Sequence, residues 1–288
     1  MDHKLTLTRH RRFTCDNVAV CVFGLEGKSF EESNFEFREL GQFLAPESVQ
    51  SIKFALTMIV PNLTNLFSVK VIPKEVDDRL IQIVSQTIEY RKSNKIVRND
   101  FMDLVSQLEY SDTQNSLVEI AAHLTAFFIE GFETSSVVMS YALYELARNE
   151  DSQEKLRNEI QDVLEKHNGI FSYDALQEMT FLDACLYETL RLHPTSGFQP
   201  KTCTERHELE STNPEYAPLS VTIEPGTPII LPVLALHMDP KHYPDPEKFI
   251  PERFSKDNNY NYVFLAFGIG PRSCVGMYAF HIKTLKCW

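Results

Sequence analysis

Phe267-Gly268-Ile269-Gly270-Pro271-Arg272-Ser273-Cys274-Val275-Gly276 sets one cysteine in a glycine-rich turn, two residues after an arginine and just where a helix can begin. A neutral thiol is a poor metal ligand, so a ligating cysteine needs surroundings that stabilise its anion. Backbone N–H groups and a helix N-terminus do this by placing partial positive charge near the sulfur. The glycines let the backbone fold tightly around the sulfur and keep bulk off a flat cofactor face. Arg272 suits a carboxylate of such a cofactor. For a cysteine in isolation, a structural thiol buried in a tight turn would be the better reading.

Working outward, the 288 residues are enough for one large domain or two ordinary ones. Hydrophobic residues at 43% and charged residues at 24% allow a sizeable core and argue against wholesale disorder. The net charge of -12 argues against nucleic acid as a partner, because phosphate contacts need clustered Lys and Arg. The one basic run, His10-Arg11-Arg12, reads as a solvated helix end. Cys15, Cys21, Cys185, Cys203, Cys274 and Cys287 form no C-x-x-C pair, which disfavours a zinc or iron–sulfur site. Their scatter suits a reducing compartment, with all but Cys274 acting as small hydrophobes. No stretch is apolar for long enough to span a bilayer: Phe54 to Phe67 is cut by Pro61 and Asn62. Met1 begins no charged-then-apolar signal peptide.

The pattern is mainly α with a small β part. Helices are expected over Val76–Asn94, Leu117–Asn149, Ser152–His167, Ser172–Met179 (with a cap at its start) and Phe181–His193. The centre of the second, Ala121 to Val138, is apolar nearly all round, as in a helix buried inside a large domain. Asn168-Gly169 and Pro194 are stop signals. Ser220–Ile223 and Pro228–Leu231 read as short strands joined by the turn Glu224-Pro225-Gly226-Thr227. From Asp239 to Tyr262 the chain is rich in Pro, Asp and Asn, with little periodicity. A further helix is expected to begin at Met277.

The cysteine stretch resembles the haem-binding loop of the haem-thiolate monooxygenases, the cytochrome P-450 superfamily. Its pattern Phe-x-x-Gly-x-Arg-x-Cys-x-Gly is matched by Phe267, Gly270, Arg272, Cys274 and Gly276. The resemblance implies haem b (iron protoporphyrin IX) as cofactor, with Cys274 as the metal ligand and the other four residues shaping its site. A second match is Glu130-Gly131-Phe132-Glu133-Thr134-Ser135 in the long helix. A glycine inside a helix costs about 1 kcal/mol relative to alanine, so Gly131 needs a packing or functional reason. Thr134 can bond back to the carbonyl of Glu130 and bend the helix. The resemblance makes Glu133 and Thr134 an acid–alcohol pair that relays protons over the haem. The bland reading is a packing glycine beside a solvated glutamate. Glu130 departs from the more common Ala or Gly. It is read as a polar pocket residue, with a covalent ester to the haem edge as the competing reading.

Glu188-Thr189-Leu190-Arg191 matches the family's Glu-x-x-Arg, whose i,i+3 spacing puts acid and base on one helix face. Pro251-Glu252-Arg253-Phe254 resembles the segment whose arginine joins them. Glu188, Arg191 and Arg253 are therefore expected to lock the irregular segment beneath the cysteine loop, a structural role. Lys201 falls where the family often has an arginine reaching a haem propionate. His237 reads as a satisfied structural histidine. Gly197, Phe198, Phe127 and Phe128 are expected on the substrate side.

The resemblance runs from about Arg12-Phe13-Thr14 to Gly276 and is strongest at the cysteine loop. It implies a mainly helical cytochrome P-450 fold, here a partial domain expected to lack its N-terminal portion and its closing strands. It also implies a monooxygenase acting on a lipophilic small molecule, with electrons from NADPH through a flavoprotein reductase. The location implied is the cytoplasmic face of the endoplasmic reticulum, a whole member being held there by a membrane anchor. The alternatives are a catalytically inactive haem-binding remnant, or a haem-thiolate isomerase or dehydratase, against which the acid–alcohol pair argues.

Overall fold

The structure, a computed structural model, describes residues 3–25, 30, 72, 74–108, 116–211, 215, 220–255 and 262–277. Phe54–Phe67, Cys287 and the stretch after Met277 lie outside these. The elements in order are α1 (His3–Phe23), α2 (Lys74–Asn94), α3 (Phe101–Ser106), α4 (Ser116–Arg148), α5 (Glu150–Lys166), α6 (Tyr173–Glu178), α7 (Thr180–Leu192), β1 (Gln199–Thr202), β2 (His207–Glu210), β3 (Ser220–Ile223), β4 (Pro228–Leu231) and α8 (Val233–His237). Single 3₁₀ turns follow at Pro251–Phe254 and Gly270–Arg272. Among the described residues, no helix is long and apolar enough to cross a membrane.

The 33-residue helix α4 organises the molecule. Its first half packs with α1, α2 and α3 around Phe23, Leu80, Leu124 and Phe128. Its second half packs with α5, α6 and α7 around Leu146, Leu156, Leu176 and Leu186. Between them, Val138 of α4 and Leu190 of α7 meet Phe264, Ala266 and Phe267 of the cysteine segment.

Helix α1 is built from Cys15, Val18, Ala19, Val22 and Phe23, all buried and all on one helical face by their spacing. His10-Arg11-Arg12 therefore does not form a solvated helix end. It lies inside α1 and is half-buried, because His10 bonds to Ser140 and Arg11 to Glu133 across the contact with α4. Ser172 caps α6 by accepting a hydrogen bond from Ala175 N–H at 3.1 Å. Helix α7 has no cap of its own. Glu159 of α5 accepts from Phe181 N–H and Leu182 N–H at 2.7 and 2.9 Å instead.

The two expected strands form, but they do not pair with each other. β1 pairs with β4 and β2 with β3, both antiparallel, so the four make two small two-stranded sheets, one nested inside the other along the chain. The Glu224–Thr227 turn forms its own bond, Thr227 N–H to Glu224 O at 3.1 Å. It bends the chain between β3 and β4 rather than reversing it, because Cys203, just after β1, takes the neighbouring backbone groups of Gly226 and Thr227 at 2.8 and 3.0 Å.

Phe128 is fully buried between Phe23 and Phe132, so it fills the core and lines no open surface. Phe127 is half-buried and packs on Phe101 with ring centroids 4.3 Å apart.

Candidate functional site

The cysteine segment is pinned at its base before it reaches the thiol. Leu265 is held at both backbone groups: its N–H donates to His237 Nε2 at 2.9 Å, and its carbonyl accepts from Gln199 Nε2 at 3.0 Å. His237 in turn reaches the Arg191 carbonyl through Nδ1 at 3.2 Å and stacks on Phe264. These two contacts fix the neutral tautomer with its proton on Nδ1. Burial pushes the His237 pKa down to about 4. Tyr187 of α7 packs edge-on against Phe264 and Phe267.

From that base the loop turns outward. Gly268 and Gly270 take φ of 69° and 79°, a left-handed backbone that glycine adopts without strain. Gly268 N–H bonds to Leu265 O, Ser273 N–H to Gly270 O, and Cys274 N–H closes the loop on Phe267 O at 2.8 Å. Cys274 is exposed, flanked by the exposed apolar side chains of Ile269 and Val275. Arg272 is exposed two residues away. A side chain at Gly276 would touch the Cys274 sulfur at 3.8 Å, while one at Gly270 would meet nothing within 4 Å. A bare thiol with an apolar border, glycines beside it and a cation close by fits a flat apolar macrocycle bearing anionic groups.

On α4, Ala126, Glu130 and Thr134 are exposed and share one face at i,i+4 spacing. The Thr134 hydroxyl donates to Glu130 O at 2.5 Å. Ser135 and Ser136 bond back in the same way, to Gly131 O and Glu133 O. Val138, one turn beyond Thr134, belongs to the same cluster as Phe267, the residue on which the cysteine loop closes. The Thr134 face and the thiol thus border one packed patch. Gly131 has a packing reason: a Cβ there would come within 3.2 Å of Val18 on α1. Glu133 is not simply solvated, since its Oε1 is ion-paired to Arg11.

Beneath the loop, Arg191 directs all five guanidinium N–H groups to acceptors. These are the two Glu188 oxygens and the carbonyls of His237, Pro246 and Lys248, at 2.7 to 3.1 Å. Glu188 also accepts from Ile250 N–H at 2.9 Å and lies 3.4 Å from Arg253 Nε. Arg253 donates to Asp245 O at 2.8 Å. The three residues therefore meet on one buried network that holds the segment from His237 to Arg253. Lys201 is exposed on β1, opposite Ile229. Phe198 is half-exposed, and Gly197 O accepts from Leu234 N–H.

Two supporting residues had no signal of their own in the sequence. Gln199 sits in a strand too short to show alternation. Glu145, buried in α4 and 2.7 Å from His193 Nε2, falls on a position that helical spacing assigns to the core.

Comparison with known proteins places this geometry among relatives. The family model described as cytochrome P450 matches residues 6–279. A probable cytochrome P450 6a20 of Drosophila melanogaster is 40% identical over 276 residues, covering 92% of this chain and 54% of that protein. Cytochrome P450 6a9 of the same organism is 36% identical over 279 residues, with the same coverage. Cytochrome P450 6j1 of Blattella germanica is 36% identical over 271 residues, covering 92% of this chain and 52% of that protein. The chain spans about half the length of the curated relatives it matches.

Proposed function

This chain belongs to the cytochrome P450 family, and from that premise we propose that it serves a haem-thiolate monooxygenase inserting one oxygen atom of O2 into a lipophilic small molecule. The observation that carries the reading is the shared patch: Cys274 closes its loop on Phe267, and Phe267 packs with Val138, one turn from Thr134. Ligand and acid–alcohol turn thereby flank the same packed residues.

Haem, when bound, supplies the oxygen chemistry, with a thiolate ligand donating electron density to its iron. Cys274 provides that thiolate, and Gly270 and Gly276 keep its surroundings clear. Phe267 anchors the loop. Arg272 and Lys201, both exposed cations, pair with the propionate carboxylates. Glu133 holds a proton at a carboxylate oxygen and Thr134 passes it on at Oγ1. The Thr134 hydroxyl already donates to Glu130 O, so its oxygen is free to accept. Glu130, on the same exposed face, is a polar border residue; acid extraction that leaves haem on the protein after turnover would instead show an ester bond. Glu188, Arg191 and Arg253 fix the segment beneath the loop.

Electrons come from NADPH through a flavoprotein reductase that docks near the cysteine face. The working location is the cytoplasmic face of the endoplasmic reticulum membrane. The test is spectroscopic. Haem-loaded protein, reduced and exposed to carbon monoxide, gives a red-shifted thiolate-type Soret band that Cys274→Ser abolishes. A band typical of a neutral ligand, or no bound haem, overturns the reading.

A further inference from the structure

Glu133 is turned toward α1, and the way it is held there is uneven. Its Oε1 is ion-paired with Arg11, across 122 positions of sequence. Its Oε2 is enclosed by protein and has no hydrogen-bond partner, as is true of the Nε atoms of Arg11 and Arg12. The Glu133 side chain as a whole keeps 27% of its surface open. One oxygen is thus anchored, while its twin is enclosed and unmatched. A purely structural bridge gains most when both oxygens are engaged. Leaving one oxygen enclosed and unmatched suits a group that takes up and releases a proton at that oxygen.

We propose that Arg11 is the positioning residue for Glu133, anchoring Oε1 so that Oε2 alone carries the proton toward Thr134. The inference rests on the relay reading of Glu133 and Thr134 and adds the residue that orients it. No electron moves in this step. Oε2 takes up a proton, with water at the open edge of the side chain as its source, and gives up a proton to the Thr134 oxygen, while Oε1 stays with Arg11. Arg11 is the charged group in contact with the carboxylate; the neighbouring titratable residues along the two helices are His10 and Arg12 on α1 and Glu130 on α4. His10 is engaged with Ser140 at 2.9 Å, which leaves Arg11 as the cation that sets the acid's orientation.

The test uses the full-length haem-loaded protein and two readouts. One is labelling of Glu133 by a water-soluble carbodiimide, mapped by mass spectrometry, which needs no turnover. The other is hydrogen peroxide released per NADPH consumed. Arg11→Met is expected to raise Glu133 labelling several-fold and peroxide release by about tenfold, and Arg11→Lys to stay near the parent in both. The exchanged pair Arg11→Glu with Glu133→Arg covers the case in which Arg11→Met loses its haem. It keeps an ion pair between the helices but takes the acid off α4. It is expected to hold haem and still release peroxide. Unchanged labelling in Arg11→Met, or an exchanged pair that restores coupling, overturns the proposal. Glu133→Gln separates the two levels: if it leaves coupling unaltered, the relay reading falls and this inference with it. If Glu133→Gln uncouples and Arg11→Met does not, only the inference falls.

Discussion

Glu188 and Arg191 meet through two hydrogen bonds of 2.7 and 2.8 Å with both side chains fully buried. Burying two charges gains little unless the remaining donors and acceptors are satisfied. Here they are, by three carbonyls on Arg191 and by Ile250 N–H and Arg253 on Glu188. The pair therefore acts as a rivet through the irregular segment and sets the floor of the cysteine loop.

Removing one member leaves the other as an uncompensated buried charge. Glu188→Leu is expected to cost about 3–5 kcal/mol of folding stability. Thermal unfolding together with haem content checks this; a loss no larger than that of a surface substitution would contradict it.

His237 gives the fold a dependence on pH. Its pKa in the folded protein is about 4 against an ordinary 6.5, chiefly through burial. Between those values the unfolded chain binds the extra proton, so stability is full above about pH 6.5 and falls as the pH drops toward 4. The whole window is worth roughly 3 kcal/mol. Unfolding measured across it should decline in the parent and be flatter in His237→Gln, although that variant starts lower. Parallel curves would exclude His237 as the source.

Gly24 and Gly226 both have positive φ, 64° and 88°, but different surroundings. A Cβ at Gly24 would fall 2.4 Å from Arg91 Nη2 and 2.6 Å from Asp100 Oδ2, inside a buried ion pair. One at Gly226 meets nothing within 4 Å. Gly226→Ala should cost only the backbone term of about 1–2 kcal/mol. Gly24→Ala should add an overpacking cost of about 1–3 kcal/mol. Chemical denaturation of the two variants gives the comparison directly; equal losses would show that the Arg91 site yields freely.

Much of this was legible before any coordinates. The expected helix Leu117–Asn149 is Ser116–Arg148 in the structure, because an apolar run of that length without proline is too long for a strand. Ser172 announced its own cap. Helix α1 carries a signal in Cys15, Val18, Ala19, Val22 and Phe23, masked in the sequence by the basic run before them, which resembles a helix end. The Arg11–Glu133 pair had none: 122 positions separate its members, and only the crossing of α1 over α4 joins them. Arg91 with Asp100 and Asp103 is similar, since the pairing crosses the loop between α2 and α3. The partners of β3 and β4 were hidden because four-residue strands with mostly exposed faces show no alternation.

Glu159 is the cap that α7 lacks in its own sequence. Glu159→Ala leaves the first N–H groups of α7 without their carboxylate and should cost about 0.5–2 kcal/mol. A thermal melt of the single variant measures it, and Glu159→Asp should recover part of the loss. A variant indistinguishable from the parent would mean that water replaces the carboxylate at no cost.

The nested pairing of β1 with β4 around β2 with β3 favours one order of assembly. Closing Thr202 on Pro228 directly means bringing together the ends of a long open loop, whereas closing β2 on β3 first leaves only two short connections to close. Loop closure thus favours β2 with β3 first and β1 with β4 second. Gln199 begins β1, and its amide holds the Leu265 carbonyl beneath the cysteine loop. On loop-closure grounds the floor of the thiol site is the later of the two closures, set after the pairing of β2 with β3.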